Sequence, residues 1–514
     1  MMSRSRPGRV RCAFGLALVP VLAYALLGTL GACDYVAYLG NYEVRDGTVF
    51  DAGPDADADA EPGVPCGAKS CFAPSTCLDP KGEGTCSNDI VSISAGGETT
   101  CALLADATLW CWGGNQFGAL GQPPEGDEQC NAGNDTFVSC RHKPSQVPGM
   151  TDVLQVSVGF QTVCAVKRNN SVWCWGNNHF GQLGHAPNEA GDRMCPPLNQ
   201  GPAGTPQECN SVPVQVAGLS AVEVAVNREH ACAIGTDGRV SCWGRNEALA
   251  LGTTLVAPSA ATPIPQSVNG LPKALHLATG VSSYHTCAIT QERKAVWCWG
   301  ANHSGQLGHP KSLDTECSGN CSSTARAVAK NYTDAGVSEP LENVTSLAAG
   351  YLFTCAVRDS RVYCWGGNDF GTLGPNLVEH STSSPTQIPG MSLIREVGAR
   401  LIHACAVAED GRIFCWGANP LGSIGTGEIL GEPCQTTVCR KTPYNTGLAN
   451  VVGTATGAGA SYALFAKRSS ISAWGDNSTA RLGHKQTDEG DLYNCGDLHE
   501  SVCNPTPRLM PRFP

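Results

Sequence analysis

The residues of this 514-residue chain best suited to chemistry are its 28 cysteines and 12 histidines. Thiolates and imidazoles build zinc sites, and a thiolate beside an imidazole makes a nucleophile. The spacing favours neither. Cys66-x4-Cys71-x5-Cys77-x8-Cys86 lacks the close Cys-x2-Cys pair of a zinc knuckle and reads as two disulfides stapling a small knob, with the pairing open. His230, His285 and His403 each stand two residues before a cysteine. On a strand such neighbours share a face, so a structural hydrogen bond is their expected role. Asp55-Ala-Asp57-Ala-Asp59 fails as a calcium loop, because Ala60 and Cys66 occupy the positions that need Gly and Glu. Ser-His-Asp, G-x-S-x-G and P-loop patterns are missing as well. No residue set specifies a reaction, and the chain reads as non-catalytic, without metal or cofactor.

Disulfides are the simpler use of so many cysteines. Cys101 with Cys111, Cys164 with Cys174, Cys232 with Cys242, Cys287 with Cys298, Cys355 with Cys364 and Cys405 with Cys415 each bracket a turn such as Thr236-Asp237-Gly238 between apolar strand fragments. Opposite residues of an antiparallel hairpin lie within disulfide reach, so six intra-repeat bridges are expected, each contributing ~2–3 kcal/mol. A seventh copy places Ala463 and Ala473 where both cysteines would stand, and losing both together is what a covalent pair predicts. Ten further cysteines pair within insertions: Cys130/Cys140, Cys195/Cys209, Cys317/Cys321, Cys434/Cys439 and Cys495/Cys503.

The compartment follows from the N-terminus. Arg4, Arg6, Arg9 and Arg11 precede an apolar run from Ala13 to about Leu30, then Leu30-Gly31-Ala32-Cys33. That tetrad resembles a bacterial lipobox, which makes residues 1–32 a lipoprotein signal peptide and Cys33 the lipid-bearing residue. Removing 1–32 takes away four arginines and no acid, so the net charge moves from −11 to −15. An acidic body repels phosphate backbones, which argues against nucleic acid. With no second hydrophobic span, the membrane is met through the lipid anchor alone, in the cell envelope, on its periplasmic face or the cell surface. Residues 33–65 form an acidic Ala/Asp/Pro linker and 66–88 the four-cysteine knob.

From residue 89 to 514 the chain repeats. C-W-G recurs at Trp112, Trp175, Trp243, Trp299, Trp365 and Trp416, with Ala-Trp474-Gly as a seventh copy, at intervals of 63, 68, 56, 66, 51 and 58 residues. Self-similarity at that period marks a propeller or solenoid. Low charge (15%) and 60 glycines fit many short strands joined by tight turns. The tail after each tryptophan is W-G-x-N-x-x-G-x-L-G, clearest in WGNNHFGQLGH and WGANHSGQLGH, and it follows G-x-x-H-x-C-A. This pattern resembles the regulator-of-chromosome-condensation repeat family. The resemblance implies an all-β, seven-bladed β-propeller of four-stranded blades. The third copy (WGRNEALALG) lacks the middle glycine and the seventh (WGDNSTARLG) is weakened, so their outer turns are expected to be less regular. A Pro-x-x-[VI] stretch precedes most repeats but not the first, and the chain ends on Pro505-Thr-Pro-Arg-Leu-Met-Pro511. The terminal strand is therefore expected to pair into the first blade and close the ring.

The five stapled insertions share one register and should project from one side of the disc, carrying Glu125, Asp127, Glu128, Asp488, Glu489 and Asp491. That face is the expected binding surface for a protein partner of a monomeric, envelope-anchored scaffold. The alternatives are guanine-nucleotide exchange on a small GTPase, implied by the family's eukaryotic namesake, and an envelope enzyme with its site in the propeller channel. A secreted β-lactamase inhibitor of the same propeller class implies that the fold can act outside cells by binding protein.

Overall fold

Each repeat folds as a four-stranded antiparallel meander. In blade 1 the order is Ile90–Ala95, Thr99–Leu104, Leu109–Gly114 and Phe137–Gln146. The computed structural model describes residues 64–513 except 67–68, 72–76, 80–84, 87, 133–135, 196–205, 281–282, 315, 319, 330–331, 334–335, 338, 378, 430, 435–436, 467–469, 487, 489, 494, 496–501 and 511–512. The signal segment 1–32, Cys33 and nearly all of the linker lie outside them, as does Glu489. Among the described residues no helix is long and apolar enough to cross a membrane.

Blades 2 to 7 open with Val153–Val158, the C-terminal part of Gln207–Val226, Ala274–Thr279, Val344–Ala349, Ile394–Arg400 and Val451–Thr456. These first strands adjoin one another in sequence order, and the seventh adjoins the first, so the array is a closed ring. Polar side chains clasp the ring from strand to strand. Gln155 bonds both the N–H and the carbonyl of Val224, Glu223 accepts from Leu277 N at 2.9 Å, and Glu396 accepts from Thr454 N at 3.1 Å. His276 stands 2.9 Å from Glu223, whose carboxylate holds the imidazole above its usual range although burial opposes this.

The W-G hairpins fix the blade-to-blade packing. All seven W-G tryptophans are fully buried. Each Nε1 donates to a carbonyl of the preceding blade's G-x-L-G turn: Trp175 to Ala119, Trp243 to Gln182, Trp299 to Ala250, Trp365 to Gln306, Trp416 to Thr372 and Trp474 to Ser423. Trp112 closes the circle on Arg481 at 2.8 Å. The glycine after each tryptophan is obligatory: Gly113, for example, has φ +102°, and a Cβ there would stand 2.4 Å from the Glu98 carbonyl oxygen. Trp110, Trp173 and Trp297 are only partly buried, so three of the ten tryptophans flank the core instead of filling it.

Three expectations need correction. The terminal strand Val502–Leu509 pairs with Ile471–Asp476 of its own blade, not with blade 1. The Pro-x-x-[VI] stretch is the outer strand of the repeat it follows, an edge position that tolerates proline. Closure comes from packing: Phe513 lies edge-on to Trp112 at 5.7 Å, and Met510, Tyr462 and Leu482 share one core with Ile90 and Ala102. Second, the residue opposite Ala473 is Tyr462, not Ala463, which faces Ser472. A large and a small side chain therefore replace the disulfide, and the Tyr462 hydroxyl, 2.8 Å from Thr100 Oγ1, donates to Arg481 O at 2.8 Å. Third, the outer turn of blade 7 keeps the common geometry, while that of blade 3 is less regular, as expected, with Ala248 (φ 50°) left-handed beside Leu249. Leu249 (φ 61°) and Ala480 (φ 57°) adopt the left-handed conformation that glycine holds elsewhere. Leu251 N and Leu482 N still bond the Oδ1 of Asn246 and Asn477.

Candidate interaction face

Antiparallel order puts the turn between the first two strands and the connection between the last two at the same end of every blade. The axial turns and the stapled insertions therefore share one face. The hairpin cysteines stand directly opposite one another, as in Cys101↔Cys111 and Cys405↔Cys415, with Cα atoms 4.0–4.1 Å apart in all six disulfides. Non-hydrogen-bonded pairs approach this closely. Cys130–Cys140, Cys195–Cys209, Cys317–Cys321, Cys434–Cys439 and Cys495–Cys503 are also bridged, with Cα atoms 5.5–6.1 Å apart. Three of these join diagonal positions: Cys130 faces Val138 while Cys140 faces Glu128, and the same offset separates Cys195 from Cys209 and Cys434 from Cys439. In the knob, Cys77 and Cys86 are both disulfide-bonded and lie opposite each other in register. The side chains of Cys66 and Cys71 lie outside the described residues.

His230, His285 and His403 are fully buried, and each Nε2 meets a hydroxyl of the following blade: Thr286 at 3.1 Å, Thr354 at 3.0 Å and Ser461 at 2.9 Å. Burial pulls the three imidazoles down to about 4, 3 and 4. They are neutral structural groups. Among the described residues no cluster of three or more His, Cys, Asp and Glu is arranged to hold a metal.

Two of the loop acids expected to face a partner turn inward. The Asp127 side chain is fully buried and accepts from Asn115 Nδ2 at 2.6 Å, Ser139 Oγ at 2.9 Å and Arg141 Nε. Asp491 accepts from Asn477 Nδ2 at 3.0 Å and pairs with His484 Nε2 at 2.9 Å. Asp192 with Asn178 and His185, and Asp314 with Asn302 and His309, repeat the arrangement. The asparagine of W-G-x-N thus pins its own insertion through an aspartate, and in three blades the histidine of L-G-H shares that aspartate. The recurring G-D-x-x-C at 126–130 and 191–195 carried this signal in the sequence and was missed.

Residues free to contact a partner gather between the insertions of blades 1 and 2. Glu125 and Arg193 bridge the two loops at 3.1 Å, beside a cleft of about 410 Å³ lined by Gln116, Pro124, Gln129, Phe137 and Met194. Phe137 is 51% and Met194 54% exposed, and the two line the same cleft. Nearer the axis, Arg228 stacks over Phe160 at 4.9 Å and Arg245 over Phe180 at 4.7 Å. Glu229 ties both arginines, at 3.7 and 3.0 Å. Glu98, on the blade 1 axial turn, is pushed up to about 7 by burial, against the pull of Arg481.

The sequence model of the regulator of chromosome condensation (RCC1) repeat matches residues 90–119, 153–182, 221–248, 278–306 and 344–372, and a second model of the repeat matches 106–166 and 169–234. The chain is 25% identical over 349 residues to the ultraviolet-B receptor UVR8 of Arabidopsis thaliana, covering 67% of this chain and 68% of the relative. It is 25% identical over 364 residues to Protein pim1 of Schizosaccharomyces pombe, covering 66% and 61%, so it spans less than two thirds of that relative. In fold it is similar to Prp20p of Saccharomyces cerevisiae, whose structure is described together with its binding to Gsp1p and histones: TM-score 0.59, 18% identity, 83% of this chain and 88% of that one. Human WBSCR16 is similar at TM-score 0.54 and 20% identity, over 77% and 91%. With seven W-G blades closed in a ring and the family's repeat matched in five of them, this chain is a β-propeller of regulator of chromosome condensation repeats.

Proposed function

We propose that this propeller is a protein-binding module that works through its stapled face, with the cleft between the insertions of blades 1 and 2 as the anchor point. One observation carries the reading: Phe137, opening the strand Phe137–Gln146, and Met194, in Arg193–Cys195, stand half exposed in one cleft, on insertions each tied by a disulfide and a buried aspartate. A preorganised apolar anchor loses little entropy on binding, and aromatic and Met side chains are the types enriched at interface centres. A lipid on Cys33 and the acidic linker would present this face from the cell envelope. Prp20p, a relative in fold, is known for protein partners, which agrees with a binding role. Among the described loop residues none favours nucleotide exchange in particular.

A photo-crosslinking amino acid at position 137 or 194, compared with position 410 on the opposite face, tests the proposal. Crosslinks to one defined envelope protein are expected from 137, weakened by Met194→Ser, and from 194, weakened by Phe137→Ser. Equal crosslinking from 410 would move the binding site to the other face.

A further inference from the structure

Arg400 ends the first strand of blade 6, and its Nη2 donates to the Val158 carbonyl in the first strand of blade 2 at 2.7 Å. Blades 7 and 1 separate these blades on one side of the ring and blades 3 to 5 on the other, so the bond crosses the propeller axis. The corresponding strand-end residue in five other blades is glycine, at 96, 159, 280, 350 and 457, and in blade 3 it is Asn227. Those glycines let the blades close up: a Cβ on Gly96 would lie 1.8 Å from the Gly159 carbonyl oxygen, and one on Gly280 2.1 Å from that of Gly350. At this strand-end position blade 6 alone carries a charged side chain.

That charge has no counterpart. Arg228 and Arg245 have Glu229, and Arg481 has Asp476 at 3.2 Å. Among the described residues no Asp or Glu pairs with Arg400, and its Nη1 is shut away from solvent without an acceptor. Burial pulls the guanidinium down to about 10, so at neutral pH it remains a cation. Arg400 is partly buried, and a cation drawn out of water without a counter-charge is unfavourable. Guanidinium groups bind planar carboxylates and phosphates through paired N–H groups, and here Nη1 has no acceptor.

We infer that Arg400, on the propeller axis, is an anion site, in which Nη1 binds an oxyanion of the carboxylate or phosphate class at the end of the axis nearest the stapled loops. The oxyanion is either a free ion or the carboxylate of a docked partner. The site is independent of the cleft between blades 1 and 2.

Calorimetric titration of the protein with sodium phosphate and, separately, sodium acetate at ionic strength held constant with NaCl tests this. Saturable binding of either anion is expected, weakened at least tenfold by Arg400→Gln. Acetate binding without phosphate binding assigns the site to carboxylates. The reverse assigns it to phosphates. No saturable binding of either, or equal binding by Arg400→Gln, overturns the inference. The melting temperature of the variant in low-anion buffer is a second readout. A chain relieved of an unpaired cation melts close to or above the wild type, and a collapse of stability there would reduce Arg400 to a structural tie to Val158.

Discussion

Acidification should loosen the ring through three buried histidines, and the size of the effect can be worked from the structure. His230, His285 and His403 have folded values of about 4, 3 and 4 against about 6.5 in the unfolded chain. A depressed histidine contributes stability that is complete above pH 6.5 and lost as pH falls toward the folded value, because only the unfolded chain takes up the proton. At pH 5 each histidine has forfeited about 2 kcal/mol relative to pH 7.5. Glu98, raised to about 7, runs the other way and offsets part of this total. The comparison that isolates the histidines replaces all three with threonine, the residue that blades 1 and 2 carry at this position as Thr99 and Thr162. Urea unfolding under oxidising conditions should show the wild type losing midpoint steeply between pH 6.5 and 4 and the triple variant losing far less. Identical pH profiles would refute the reasoning, and would mean that these imidazoles acquire a proton without leaving the fold.

The seam between blades 7 and 1 should weaken by about 1–3 kcal/mol in Tyr462→Phe, because the hydroxyl that meets Thr100 and Arg481 is lost from a buried site; denaturant melts measure it. Ala480→Gly should be neutral or stabilising by up to about 1 kcal/mol, since it relieves a left-handed alanine. Gly118→Ala should destabilise the fold, because its Cβ would stand 2.5 Å from Ser211 Cα. Fatty-acid labelling should mark the wild type and vanish in Cys33→Ser; labelling that persists would remove the lipoprotein reading.

Much of the fold was legible because it rests on residues with one physical use. A tryptophan followed by an obligatory glycine, repeated seven times, gives the blade count. Two cysteines nine to eleven residues apart around a turn give the hairpin register. The errors arose where spacing was counted without a partner strand. In blade 7 a one-residue shift separates Tyr462 from Ala463, and only the ladder opposite Ala473 shows which of them faces it. The Pro-x-x-[VI] strand reads equally well as the start of one repeat or the end of another, and hydrogen bonding to the preceding strand decides. Asp127 and Asp491 looked like surface acids because they sit among Gly, Glu and Asn in long insertions. Their burial depends on Asn115 and Asn477, more than ten residues away in sequence. The Phe137–Met194 cleft had no sequence signal beyond the insertions themselves, since neither residue stands out without its neighbours.

The eleven fully described disulfides all join residues of the same blade, and none crosses from one blade to the next. Each closes a short stretch of chain, 4 to 14 residues in sequence separation, so oxidation organises hairpins and insertions without fixing where any blade sits. A chain oxidised ahead of assembly enters folding with six of its seven hairpin registers already set. What remains is the search among blades, and this lowers the entropic barrier that slows β-rich folds built on distant contacts. The blade without a hairpin disulfide is the last to be made, and it forms the seam. The final docking of blade 7 on blade 1 then needs no thiol exchange and stays reversible after the hairpin and insertion cysteines have been oxidised.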